Sequence, residues 1–343
     1  MPKPLVIVES PAKARTIAGF LGDDYFVESS VGHIRDLPRS KKDVPEAYKK
    51  EPWAGDGVDV DNDFKPLYIV SPDKKDKVRE LKALLKDASE VYLATDEDRE
   101  GEAISWHLLE TLSPRVPVKR MVFHEITRDA IEHAVANPRD LNMALVDAQE
   151  TRRILDRLYG WRLIEVLRRK GPAGATAGRV QSPAIRVLVE RERERMAFRS
   201  ASYWDIEAHF RKNDKSFKAE LLSVNEQRLA TSKDFEATSG ALKGDRLLLD
   251  EEKARGLASR LEGQPVTVRS VEEKPYRSSP KPPFITSTLQ QAGNNQLGMT
   301  AQRTMRAAQS LYENGFITYM RTDSTTLSEQ ALAASRRTAT ELF

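Results

Sequence analysis

The sequence predicts an α/β domain, a mostly parallel sheet covered by helices, followed in the same chain by helical and β-containing parts. Three observations carry this. Over residues 1–137 strand-like apolar runs alternate with helical spacing; from Asp140 to about Arg195 the character is helical; from Tyr203 short alternating runs begin. Parallel neighbours need a crossover, usually a helix, so strand–helix repetition reads as a parallel sheet.

The elements follow in order. "PLVIVES" is a buried-strand run, and "AKARTIAGFLG" after it has helical spacing and a glycine stop. "PLYIVS" predicts a strand before the charged helix "DKKDKVRELKALLKDA"; "EVYLATD" predicts another before "EGEAISWHLLETL". "VKRMVFHEI" is a further strand, and "TRDAIEHAVANP" a helix with threonine at its start and proline at its end. The polar, Pro/Gly-punctuated "LPRSKKDVPEAYKKEPWAGDGVDVDNDF" reads as a surface insertion. In the helical block Leu141, Leu145, Ala148, Leu155 and Leu158 form an apolar stripe, with Arg152, Arg153 and Arg157 largely off it. "KGPAGATAG" breaks that helix, and the later half of "RVQSPAIRVLVERERER" reads as a solvated helix face. "YWDIEAHF" and "KSFKAELLSV" predict antiparallel strands, and "VTVRSVEEKPYRSSPKPPF" a strand leaving through a proline-rich linker. "MTAQRTMRAAQSLYENG" is a helix capped by Thr300 and stopped by Gly315; "GFITYMRTDS" after it reads as a strand. The chain ends at "RRTATELF", inside a helical pattern, and is read as a truncated piece.

Composition bounds the function. A chain of 343 residues is long enough for two or three domains with real cores, and 31% charged with 39% hydrophobic residues is ordinary globular usage. No apolar stretch approaches the roughly 18–20 residues of a membrane span. The N-terminus runs straight into a strand with no signal-peptide core, and the absence of cysteine excludes disulfides, thiol catalysis and cysteine-held metals. These features suit the cytoplasm. A net charge of +3 does not by itself announce a nucleic-acid binder, but the arginines cluster in "ETRRILDRLYGWRLIEVLRRK".

The sharpest motif is "LATDEDREGEAISWHLL", which puts Asp96, Asp98 and Glu100 at a strand end and helix start. Ligands bind at the carboxyl ends of strands in open α/β sheets. Packed carboxylates repel one another unless a cation relieves them, and Mg²⁺ takes such oxygens. A solvated acidic first turn is the plain alternative. Glu9 ends the first strand, where an adjacent parallel strand brings it to the same rim, and Lys13 follows one turn later. Acids and a lysine at strand ends describe metal-assisted phosphoryl transfer better than a core.

"VIVESPAKARTI", "SSVGHIRDLP", "LATDEDREGEAISWHL", "TAGRVQSPAIRVLVERE" and "GFITYMRTDS", in this order along the whole chain, resemble the bacterial type IA DNA topoisomerase family. Within it "YMRTDS" and "HIRDLP" favour the topoisomerase I group over topoisomerase III. A D-x-D-x-E pattern alone would indicate only the wider TOPRIM superfamily, where a primase would leave Tyr319 without a purpose.

The resemblance implies a TOPRIM metal-binding domain at 1–139 and the first part of a helical single-strand DNA-binding domain at 140–202. It further implies the first part of a β-rich arch or hinge domain at 203–279 and a helical domain with the catalytic tyrosine at 280–343, together an incomplete type IA toroid. It makes Tyr319 the nucleophile that forms a 5′-phosphotyrosyl link. Arg321, on the same face of a strand, holds the scissile phosphate; Thr318 points the other way, and Asp323 and Ser324 shape the turn. Asp96 and Asp98 are cast as Mg²⁺ ligands and Glu100 as their support. Glu9 serves the metal or proton transfer at the 3′-oxygen, and Lys13 contacts the phosphate or donates a proton. Single-stranded DNA is assigned to His33, Arg152, Arg153, Asp156 and Trp161, and to the loop Thr176, Ala177, Gly178, Arg179, Val180 and Gln181. Arg168 stands where relatives usually carry an aromatic; an arginine there can still stack or bind phosphate. The implied activity is relaxation of negatively supercoiled DNA without nucleotide, by a monomer at the nucleoid. A piece ending at residue 343 is expected to bind single strands and relax poorly or not at all.

Overall fold

The computed structural model describes residues 2–342. The chain divides into two compact units, one of residues 1–176 with 279–343, the other of residues 177–278. In the first, β1 (Lys3–Val8), β2 (Phe26–Ser29), β3 (Ala88–Leu93) and β4 (Val118–Arg120) make a parallel sheet in the order β2-β1-β3-β4. β1 is central and its Leu5, Val6, Ile7 and Val8 are wholly buried, as expected of a strand covered on both faces. The two-residue period sorts them. Leu5 and Ile7 join a cluster with Leu81, Leu93, Ile104 and Leu108, while Val6 and Val8 join one with Ile17, Tyr92, Met121 and Tyr312.

The crossovers are helical: α1 (Pro11–Leu21), α2 (Lys75–Leu85), α3 (Arg99–Leu112) and, after β4, α4 (Arg128–Ala136). Local chemistry sets their ends. The Ser10 side chain accepts the Lys13 N–H and Pro11 follows it, while Gly22 ends α1 at φ +67°. Asp98 caps α3 through the Gly101 N–H, and Thr127 caps α4.

α5 (Met143–Lys170) runs the length of the helical block, and α8 (Thr286–Leu297), α9 (Ala301–Glu313) and α10 (Glu329–Leu342) complete the first unit. Ala308 and Tyr312 of α9, with Met320 beyond it, fill the same cluster as β1 and β3, so the C-terminal segment shares the core of the sheet.

Several expectations are corrected. "GFITYMRTDS" forms no strand: Tyr319 lies in irregular backbone whose N–H donates to the His124 carbonyl at 2.8 Å, and the segment pairs with no strand among the described residues. "PLYIVS" contributes Ile69–Val70, antiparallel to Arg35–Asp36, and Pro66, paired with Val58, both outside the main sheet, and "VKRMVFHEI" pairs over three residues. The insertion at residues 37–64 is partly anchored, with Leu37, Val44, Ala54 and Val58 buried. On α5 the stripe is displaced. Leu155 is half exposed while Arg157 is buried, because its guanidinium donates to the Pro38 carbonyl at 2.7 Å and covers Trp161 at 4.5 Å.

In the second unit α6 (Gln181–Ala197) buries no residue, and the pairs Arg186–Glu190, Arg191–Glu194 and Arg195–Glu192 lace its surface. β5 (Glu207–Lys212) and β6 (Lys215–Glu220) form an antiparallel hairpin, and Leu229, Leu249 and, from α7 (Glu251–Leu261), Ala254 make a small core. Residues 264–285 take no regular structure, contrary to the strand expected there. Among the described residues no helix is long and apolar enough to cross a membrane.

Candidate active site

Two strand ends and one C-terminal segment converge. β1 delivers Glu9 just past its last residue, and α1 turns Lys13 back under it. The wholly buried ammonium of Lys13 pairs with both Glu9 Oε1 and Asp96 Oδ1. β3 delivers the acidic loop. The Asp96 N–H donates to Glu9 Oε2 at 2.8 Å, and its carboxylate Oδ1 also accepts the Tyr312 hydroxyl at 3.0 Å.

The loop is built tightly. The buried Arg120 donates to the carbonyls of Leu93, Asp96 and Met121 at 2.7–2.9 Å while its Nε holds Glu102 at 3.0 Å. Thr95 Oγ1 donates to the Gly101 carbonyl at 2.6 Å. Gly101 is required, since a Cβ there would stand 2.1 Å from the Asp96 carbonyl oxygen.

The tyrosine arrives from beyond α9. Tyr319 donates its hydroxyl to Asp98 Oδ2 at 2.5 Å, and its ring tilts against Tyr312 with centroids 5.2 Å apart. Arg321 reaches the same rim, 3.1 Å from Glu100 and 3.7 Å from Asp98. The two-residue spacing therefore presents Tyr319 and Arg321 on one side although the segment is not a strand. His33 joins at the edge, 3.9 Å from Glu100 and edge-on to His107.

Electrostatics separate the acids. Burial pushes the Glu9 carboxyl up to about 8, with Asp96 adding to the rise and Lys13 opposing it. Burial acts against Asp96 too, but hydrogen bonds from Glu9, Lys13 and Tyr312 outweigh it and hold the group below the usual carboxylate range. Burial and the facing Asp96 and Asp98 push the Tyr319 phenol well above its ordinary value, Arg321 opposing. In this arrangement burial favours a proton on Glu9 over one on Asp96, and Tyr319 is a hydrogen-bond donor.

Carboxylate oxygens suit a hard divalent ion, so Glu9, Asp96 and Asp98 fit Mg²⁺ in kind. Their oxygens here are turned to Lys13, Tyr312, Gly101 and Tyr319, and among the described residues no three acidic or imidazole groups stand in a metal-ready cluster. Glu100, expected beside them, faces Arg321 and His33 instead.

The expected DNA-contact residues spread over both units. Arg153 forks onto Asp36 with two bonds of 2.7 Å, and Arg152 lies 4.0 Å from Asp156. Trp161 and Arg168 line an exposed cavity of about 380 Å³ with Asp56, Arg162, Ile164 and Glu165. Thr176 ends the first unit; Ala177, Gly178, Arg179 and Val180 lie in the second, before Gln181 opens α6. Tyr312 and Arg120 escape the sequence reading. A tyrosine and an arginine inside apolar patterns carry no local signal, and only the folded chain shows their oxygens and nitrogens aimed at the acidic loop.

Comparison with known proteins agrees with the motifs. A family model described as DNA topoisomerase matches residues 140–342, and one described as Toprim domain matches residues 4–126. DNA topoisomerase 1 of Mycolicibacterium smegmatis is 60% identical over 99% of this chain and 37% of its own length; that of Streptomyces coelicolor is 58% identical over 99% and 36%. The structure of full-length topoisomerase I from Thermotoga maritima superimposes with a TM-score of 0.73 at 36% identity, covering 99% of this chain and 52% of that one. The chain thus spans little more than a third of the curated relatives' length.

Proposed function

Because this chain belongs to the bacterial type IA DNA topoisomerase family, we propose that Tyr319 cleaves one DNA strand by attacking a phosphodiester, as part of an enzyme that relaxes negatively supercoiled DNA. The observation that carries this is the Tyr319 hydroxyl on Asp98 with Arg321 beside it, on the rim that also holds Glu9 and Lys13.

The phenolic oxygen forms a bond to phosphorus as the 3′-oxygen–phosphorus bond breaks. The phenol proton passes to Asp98, its hydrogen-bond acceptor, and Glu9, which holds a proton up to about 8, gives one to the departing 3′-oxygen. Arg321 and Lys13 balance the charge that gathers on the phosphoryl oxygens. A phenol's ordinary pKa of about 10 makes it a workable leaving group, so the reverse attack reseals the strand without nucleotide. The Toprim domain is a Mg²⁺-binding domain in general; Asp96 and Asp98 would hold the ion, which supplies further positive charge at the phosphate. Single-stranded DNA would lie along His33, Arg152, Arg153, Trp161 and Arg168, with the loop of residues 176–181 supplying amides and Arg179. The enzyme is proposed to work as a cytoplasmic monomer.

Full-length protein carrying Tyr319→Phe, mixed with a single-stranded oligonucleotide labelled at its 3′ end and then denatured, is expected to trap no labelled adduct, whereas wild type traps it. Adduct persisting in the variant refutes the assignment.

A further inference from the structure

Resting on that reading, we propose that Tyr312 is a positioning residue of the active site, through which the seating of α9 on the sheet is transmitted to the acidic loop. Two phenols from one segment reach two carboxylates of one loop, Tyr312 on Asp96 at 3.0 Å and Tyr319 on Asp98 at 2.5 Å. They differ in surroundings. Tyr312 is wholly buried, its ring lying 4.8 Å beneath the Lys13 ammonium, whereas Tyr319 is partly exposed beside Arg321. Tyr312 has no path to a phosphate; its hydroxyl can only donate inward.

That donation matters because of what else Asp96 does. One oxygen, Oδ1, receives both Lys13 and Tyr312, the backbone N–H holds Glu9, and the carbonyl is gripped by Arg120. Every partner of Asp96 except Tyr312 comes from the sheet domain. Tyr312 is the last but one residue of α9, and the next, Glu313, is tied to α1: its carboxylate accepts Ser10 Oγ at 2.8 Å and its carbonyl accepts Thr16 Oγ1 at 3.0 Å. A rigid helix end thus touches the acid, the lysine and the second tyrosine at once. Lifting α9 removes one of the two donors from Asp96 Oδ1 and uncovers Lys13 in the same movement, so docking and the geometry of the acids are coupled, and coupling is reciprocal.

The test uses full-length protein and the 3′-labelled oligonucleotide, comparing wild type, Tyr319→Phe and Tyr312→Phe. Phenylalanine keeps the ring against Lys13 and Tyr319 and deletes only the donor. Tyr312→Phe is expected to bind the oligonucleotide within about twofold of wild type but to form adduct roughly tenfold more slowly in a single turnover, the scale of one lost donor to a carboxylate. A purely structural role would instead lower melting temperature and affinity together. Adduct formation at the wild-type rate, or binding and cleavage falling in parallel with the melting temperature, overturns the proposal. Absence of adduct from wild type would overturn the cleavage reading itself. Independently of any variant, a crystal structure of the full-length protein with α9 seated should hold the Tyr312 hydroxyl within hydrogen-bond reach of Asp96; a separation of more than about 4 Å there also overturns it.

Discussion

The acidic loop between β3 and α3 and the tyrosine segment after α9 meet at one rim, yet they are held in opposite ways. The loop is constrained from inside its own domain. Asp98 caps the helix it begins, Thr95 closes onto Gly101, and Arg120 gathers three carbonyls from β3, the loop and the end of β4. The tyrosine segment has no ladder or helix of its own. Its backbone leans on distant partners, Tyr319 on His124 and residues 320 and 322 on Thr286. The loop's backbone is thus set within its own domain, while the tyrosine is borne by a separately seated segment whose docking completes the side-chain contacts of Asp96 and Asp98.

The largest expected effect comes from breaking the loop's anchor. Arg120→Met removes the guanidinium from three carbonyls, of which Leu93 keeps the Met121 N–H, and takes a cation from the buried Glu102, which keeps Arg139; it should cost about 3 kcal/mol. Urea unfolding of the variant against wild type measures this. Full stability would show that the loop needs no clamp and would erase the contrast with the tyrosine segment.

Acid provides a graded test of the same side. His107 of α3 is buried; burial, with the nearby Arg35 and His33, lowers its pKa from 6.5 to about 3. The unfolded chain takes up a proton there below about 6.5 and the folded chain does not until about 3. This contribution is therefore fully present above the unfolded value and is lost as pH falls through that window. Between pH 7 and pH 5 it should lower stability by about 2 kcal/mol, and His107→Leu should flatten that slope. An unchanged slope in the variant would assign the acid response elsewhere.

The smallest effect belongs to the tyrosine segment. Gly315 sits at φ +76°, and a Cβ on it would stand 2.5 Å from the Ile126 carbonyl oxygen. Gly315→Ala should cost about 1–2 kcal/mol and should raise protease cleavage between residues 314 and 324 before the sheet domain unfolds. Simultaneous loss of both would mean that segment and sheet form one cooperative block.

Much of this was legible in the residue order. The apolar run of β1, the Thr127 and Thr300 caps, the glycine stops of α1 and α9, and the clustering of Glu9, Asp96 and Asp98 at strand ends all follow from rules that act within a few residues or through the carboxyl-edge geometry of a parallel sheet. The pairing of Tyr319 with Arg321 on one side was legible as well, although its stated cause, a strand, was not the true one.

Tertiary structure alone decided the rest. That "GFITYMRTDS" stays irregular goes with a backbone held by hydrogen bonds to the distant His124 and Thr286, which no local pattern encodes. The burial of Arg157, the turning of Glu100 toward Arg321 and the hydroxyl of Tyr312 on Asp96 depend on partners 119, 221 and 216 residues away. Side-chain periodicity tells which face of an element is apolar; which polar atom waits opposite is fixed only when separate elements pack, since burying a charge or hydroxyl is tolerated only where a partner meets it.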